Sequence, residues 1–290
     1  MLELVPVAAA PLSLSRQAEN DGDLLELWLH GRSIHTDLAY RKDALRFFQF
    51  VRKPLAQVIL RDFQDYVDSL HGAVASKRRT IACLKSLFSF GLKLGYLRFS
   101  VAAAVRSPKA MDTLAERILP EAKIQQMIAL TPEGRDRMLL RLLYATGARV
   151  STICAVKWRH VQVNGDSGQV TLFGKGGKTH AVVLPGSLWQ DLVAFRGIAE
   201  DDSPVFVSRK HRGHLDPSQV LRIVRAAAKR AGIKQNVSPH WFRHAHASHA
   251  IERGAGIHLV AATLNHSSIA ITGKYLHAKP NESSAKYLAV

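Results

Sequence analysis

His240-Trp241-Phe242-Arg243-His244 offers an imidazole and a guanidinium three residues apart. In a helical turn that spacing puts both groups on one face, where they can converge on a single phosphate. Thr146-Gly147-Ala148-Arg149 stands upstream and Leu264-Asn265-His266 downstream, with a Gly-Lys-Gly-Gly-Lys turn at 174–178 between them and Tyr275 near the C-terminus. Taken singly, these residues have plainer uses: Arg149 fits a structural ion pair, Lys175 a hairpin tip, and Tyr275 core packing. Together they suit a tyrosine nucleophile. A free phenol has a pKa of about 10, so forming phenolate at neutral pH costs roughly 4 kcal/mol. The nucleophile therefore needs a base or fixed positive charge. Arg149, Lys175, His240, Arg243 and His266 would supply both.

Other chemistries fit less well. His240 and His244 have the i, i+4 spacing of zinc-binding helices, and His246 and His249 follow closely. A metalloprotease helix carries Glu directly after its first histidine, where this sequence has Trp241. The glycine turn lacks the spacing of a phosphate-binding Walker loop. Neither a metal nor a nucleotide cofactor is expected.

The formal net charge is +17 and the isoelectric point about 10.2, which favours a polyanionic partner, nucleic acid before anionic membrane. Basic residues are spread along the chain rather than held in one tail, as a folded surface around a duplex requires. Cys83 and Cys154 lie in apolar, helix-like contexts and read as two reduced core thiols. Residues 1–13 contain Pro6 and Pro11 and read as a loose leader without the basic start of a signal peptide. A cytoplasmic, nucleoid-associated protein with no membrane partner is expected.

From about Leu14 the sequence predicts four helices. One surrounds Leu24–Leu29, and the second begins after Thr36 as N-cap and carries Leu38, Leu45, Phe47, Phe48 and Val51. The third runs through Phe63, Tyr66, Val67 and Leu70, and the fourth spans roughly Ser76–Leu94. Lys77, Arg78 and Arg79 then fall in the first turn of the fourth helix, where the macrodipole disfavours cations and a DNA phosphate would be welcome. A solvated basic turn is the equal alternative. Residues 106–118, with Pro108, read as a linker, and Pro120-Glu121 as the next helix start. An apolar helix follows over Asp136–Ala145. Gln169–Phe173 and Thr179–Leu184 read as a hairpin with Lys175 at its tip and Lys178 on its rising side. The pattern after Pro185 is again helical.

The five stretches, in this order, resemble the tyrosine recombinase (phage integrase) family, in a simple Xer-like two-domain form. The family's motifs find their counterparts in Thr146–Arg149, Gly174–Gly176, His240–His244, Leu264–Ser268 and Thr272-Gly273-Lys274-Tyr275-Leu276-His277. Thr152, Asn265 and His246 depart from it, standing where an acid, a glycine and an aromatic are usual. Thr152 is expected to loosen the support of Arg149. The resemblance implies a mainly α fold with a small β-sheet. Residues 14–105 would form a four-helix core-binding (SAM-like) domain, and 119–290 an α+β catalytic domain with a C-terminal tail.

It further implies a site-specific DNA recombinase in which Tyr275 attacks a phosphodiester to give a 3′-phosphotyrosine and a free 5′-hydroxyl. Arg149, Arg243 and His266 would hold the phosphate, His240 would assist the tyrosine proton, and Lys175 would protonate the leaving oxygen. No ATP or metal is needed. Double-stranded DNA is the implied partner, touched also by Lys77, Arg78, Arg79 and Lys178. The implied assembly on two DNA sites is a homo-tetramer, or a hetero-tetramer with a related recombinase, with residues 281–290 docking on a neighbour. Two alternatives are a type IB topoisomerase-like enzyme and a non-catalytic DNA-binding protein on the same scaffold.

Overall fold

The computed structural model describes residues 17–109, 113–174, 177–210 and 213–278. The expected leader, Lys175 and the 281–290 tail lie outside the described residues. The chain forms two compact units, residues 1–111 and 112–290.

The first unit is helical: α1 (Asp21–Leu29), α2 (Ile34–Val51), α3 (Leu60–Ser69) and α4 (Val74–Lys93). Phe47 of α2 is its hub, with ring centroids 5.3 Å from Phe63, 5.0 Å from Tyr66 and 5.8 Å from Phe88. Such edge and tilted pairs add to the burial of three helices' apolar faces. Two helix starts differ from the sequence reading. Ser33, not Thr36, precedes α2, and the Thr36 hydroxyl instead meets that of Ser33 at 2.9 Å. α4 begins at Val74, so Lys77, Arg78 and Arg79 sit past its first turn, where the macrodipole penalty has faded.

Arg79 is also already engaged. Its guanidinium meets the carboxylate of Asp43 at 2.6 and 3.0 Å, and Asp43 is buried. Half-buried Lys77 and exposed Arg78 carry no such pair among the described residues. Removing Arg79 leaves a buried carboxylate unpaired. Arg79→Ala is therefore expected to cost about 1–3 kcal/mol in urea unfolding, against less than about 0.5 kcal/mol for Arg78→Ala.

The second unit contains α5 (Glu121–Ala129), α6 (Arg135–Thr146), α7 (Val150–Cys154), β1 (Val161–Asn164), β2 (Ser167–Phe173) and β3 (Thr179–Leu184). α8 (Gly186–Arg196), α9 (Pro217–Arg230), α10 (Pro239–Glu252), α11 (Ile257–Thr263) and α12 (Ile269–Ala278) follow. The strands form an antiparallel meander with Val161 opposite Val170 and Phe173 opposite Thr179. β1 is an addition to the expected hairpin. α6 supplies Met138, Leu139, Leu140, Leu142 and Leu143 to the core, which Phe206 and Phe242 complete. Cys83 and Cys154 are buried free thiols, and burial raises both to about 12.

Candidate active site

α10 organises the site. With 3.6 residues per turn, His240, Arg243 and His244 share one face, while Phe242 and Ala245 enter the core. Arg243 is 3 % exposed and has no carboxylate in ion-pair range among the described residues. It donates instead from Nη1 to the carbonyl of Gly147 at 2.8 Å and from Nη2 to that of Leu264 at 2.7 Å. These carbonyls are the C-caps of α6 and α11, the negative ends of two helix dipoles. Burial, then the nearby charge of Arg149, brings the guanidinium down to about 10, so it remains a cation at neutral pH. Two bonds fix its plane and leave three of its five N–H groups for an anion.

The turn that presents the Gly147 carbonyl explains the Thr-Gly-Ala-Arg stretch. Thr146 donates its hydroxyl to Leu142 O at 2.7 Å and accepts from Ala148 N at 3.2 Å, closing α6. Gly147 adopts φ +57°, and a Cβ there would meet Leu264 Cδ2 at 2.4 Å. Only glycine fits. The chain then reverses, and exposed Arg149 stands as the N-cap of α7. Its charge reaches His240, Arg243 and His266. Asn265 ends α11 in the same left-handed way, at φ +48°, a conformation asparagine tolerates better than most residues. His266 follows, with Nδ1 2.7 Å from the hydroxyl of Thr272 on α12.

Tyr275 lies one turn beyond Thr272. It is 6 % exposed, in a small apolar cluster with Ile118, Ala247, Val260 and Leu264. Ile118 lies at the end of the stretch whose sequence predicts a linker. The Tyr275 hydroxyl lies 2.8 Å from Nδ1 of His244. The sequence predicts that His240 assists the tyrosine proton; the imidazole in hydrogen-bond contact with the phenol is that of His244. His240 is exposed, and its ring stands edge-on to His244 with centroids 4.6 Å apart. The phenol has no other hydrogen-bond partner among the described residues, so it donates and His244 accepts. Burial raises the phenol's pKa, which Arg243 opposes. Burial foremost, then His240 and Arg117, pushes His244 down to about 4, so the acceptor is neutral at pH 7. The other two histidines of α10 are structural. His246 bonds Tyr144 O at 2.8 Å, while His249 bonds the Tyr144 hydroxyl at 2.9 Å and Leu119 O at 3.0 Å.

The phage integrase family model matches residues 117–282, more than half of the chain. The chain belongs to the phage integrase family. It is a tyrosine recombinase, an enzyme of site-specific DNA recombination. It is 33 % identical over 256 residues to the tyrosine recombinase XerA of Pyrococcus furiosus, covering 86 % of this chain and 85 % of that one. The tyrosine recombinase XerC of Xanthomonas campestris pv. campestris is 32 % identical over 257 residues, with 84 % and 79 % covered. The fold is similar to a lambda integrase dimer bound to a COC′ core site, at a TM-score of 0.72, 18 % identity and coverage of 91 % and 98 %. It is also similar to XerH bound to a palindromic difH substrate in a post-cleavage complex, at 0.74, 17 %, 93 % and 85 %.

Two departures of this recombinase from the family motifs meet at the base of the β2–β3 turn. Thr152 donates its hydroxyl to Phe173 O at 3.3 Å. Asn265 Nδ2 lies 2.7 Å from where a Cβ on Gly174 would stand. Thr152 thus ties α7, which Arg149 caps, to the hairpin. Lys178 is exposed, and its carbonyl closes the turn on Gly174 N at 2.7 Å. His180, passed over in the sequence, stands on β3 with a buried Nδ1 that has no hydrogen-bond partner among the described residues. Burial lowers it most, a hydrogen bond with the backbone of Thr263 opposes this, and Arg243 and Arg149 lower it further. A histidine five residues after Lys175 on a strand was its only signal.

His266, like His244, is pushed down to about 4, by burial first and then by Arg243 and Arg149. Unfolded histidines titrate near 6.5. Between about pH 6.5 and pH 4 the unfolded chain therefore binds more protons, and stability falls as pH falls through that window. Thermal unfolding midpoints are expected to drop from pH 7 to pH 5, more steeply in the wild type than in His244→Gln/His266→Gln. Equal slopes would contradict these shifts.

Proposed function

We propose that the protein cuts and exchanges DNA strands at a specific site, with Tyr275 as nucleophile and Arg149, Arg243 and His266 as the phosphate ligands. The observation that carries this reading is the Tyr275 hydroxyl on a neutral His244, one turn from the Thr272–His266 pair and beside a buried Arg243. As the phenol oxygen attacks phosphorus, His244 takes its proton and the P–O5′ bond breaks. The 5′-oxygen leaves with a proton from Lys175, and a 3′-phosphotyrosine remains. His240, edge-on to His244, assists the transfer of the tyrosine proton. A 5′-hydroxyl from the partner duplex reverses the step. The phosphotyrosine conserves the bond energy, so no ATP is consumed.

The helical first unit serves as a core DNA-binding domain, using Lys77 and Arg78, with Lys178 and Lys175 on the catalytic unit. The net charge of +17 supports a polyanionic partner and salt-dependent affinity. Four protomers act on two duplexes, with residues 281–290 docking on a neighbour, in the nucleoid-bearing cytoplasm. Solved relatives described as a lambda integrase tetramer bound to a Holliday junction and as XerH bound to difH support the assembly and the ligand.

The test is covalent trapping on nicked duplexes drawn from the protein's genomic neighbourhood. A detergent-stable DNA adduct, mapped to Tyr275 by mass spectrometry and lost in Tyr275→Phe, is expected. Arg243→Ala or Arg149→Ala should slow its formation about 10²–10³-fold, and His244→Gln about 10²-fold or more. An adduct on another tyrosine would overturn the site.

A further inference from the structure

Thr272 is completely buried, and its hydroxyl has one hydrogen-bond partner among the described residues, Nδ1 of His266 at 2.7 Å. That single pairing decides where two protons sit. Were His266 to carry its proton on Nδ1 and donate it, the threonine O–H would be left buried with no acceptor, a loss that buried polar groups rarely bear. The hydroxyl therefore donates to Nδ1, and the imidazole proton sits on Nε2. His266 is pushed down to about 4 by burial, Arg243 and Arg149, so at neutral pH it is a neutral ring whose tautomer decides whether Nε2 offers or accepts a hydrogen bond.

We propose that Thr272 is a positioning residue: its hydroxyl fixes His266 as the Nε2–H tautomer, which makes the ring a hydrogen-bond donor to the scissile phosphate. The proposal rests on the reading of His266 as a phosphate ligand. It also links two parts of the reaction. Thr272 and Tyr275 are three residues apart on α12 and share its buried face. The docking that carries the phenol onto His244 carries the hydroxyl onto His266. A protomer whose α12 is undocked then lacks both its nucleophile and a correctly protonated phosphate donor.

Two measurements test this. In the full-length wild type without DNA at pH 7, nitrogen-15 shifts of the His266 ring are expected to show a protonated Nε2 and a bare Nδ1; a protonated Nδ1 overturns the proposal. This readout needs no DNA cleavage, so it stands apart from the recombinase reading, which fails only if no Tyr275 adduct forms. In single-turnover cleavage, Thr272→Val, which keeps the shape, is expected to slow adduct formation roughly tenfold, and Thr272→Ser to recover most of the rate. In a His266→Ala background the same Thr272→Val change should alter the rate by less than about twofold. An equal loss in both backgrounds would assign Thr272 a role in packing alone and overturn the proposal.

Discussion

A buried cation with no acid to pair with among the described residues is the constraint on which the second unit is built. Arg243 is satisfied by the carbonyl ends of two helices, α6 and α11, rather than by a carboxylate. A carboxylate would neutralise the guanidinium and compete with the phosphate for its donors. Two helix C-termini supply only partial negative charge, so the cation is tolerated and still available. The arrangement dictates local sequence. Both helices must end in left-handed turns that aim a carbonyl inward, which accounts for Gly147 and for asparagine at 265. Those same turns launch Arg149 and His266. One side chain therefore sets the spacing of the polar groups contributed by α6, α10 and α11.

Around this fixed positive charge the fold places neutral imidazoles. Burial and the cations keep His240, His244 and His266 below the usual imidazole range. Neutral rings do not add to the repulsion between Arg149 and Arg243, and a neutral His244 can receive the phenol's proton. The same burial raises Tyr275, so the proposed nucleophile rests as a phenol, already in contact with His244. In the proposed reaction, negative charge developing on a phosphate beside Arg243 shifts the balance toward transfer.

Much of this was legible in the sequence because it depends on spacing along single elements. Arg243 and His240 read correctly as one helical face, and the Gly-rich stretch as a turn between two strands. What stayed hidden depends on contacts between elements. His240 and His244 lie on the same face by spacing, and only the approach of α12 shows that His244 meets the phenol. Strand β1 has one buried residue, Val161, followed by exposed positions, so it carries no alternation to read. Arg79 looked like a phosphate ligand because its partner, Asp43, is 36 residues away on another helix. The sequence predicts that Thr152 loosens the support of Arg149; its hydroxyl bonds Phe173 O at the end of β2, a contact between elements.

The central claim is that the guanidinium proposed to bind the phosphate also holds the second unit together. Calorimetric unfolding of Arg243→Lys beside Arg149→Lys tests it most directly, since both keep a cation but only the first loses a carbonyl bridge. The account predicts a fall in the midpoint on the order of 5 °C for Arg243→Lys and almost none for the exposed Arg149→Lys. Equal midpoints for the two variants and the wild type would contradict it, and would leave Arg243 a ligand that the fold does not need.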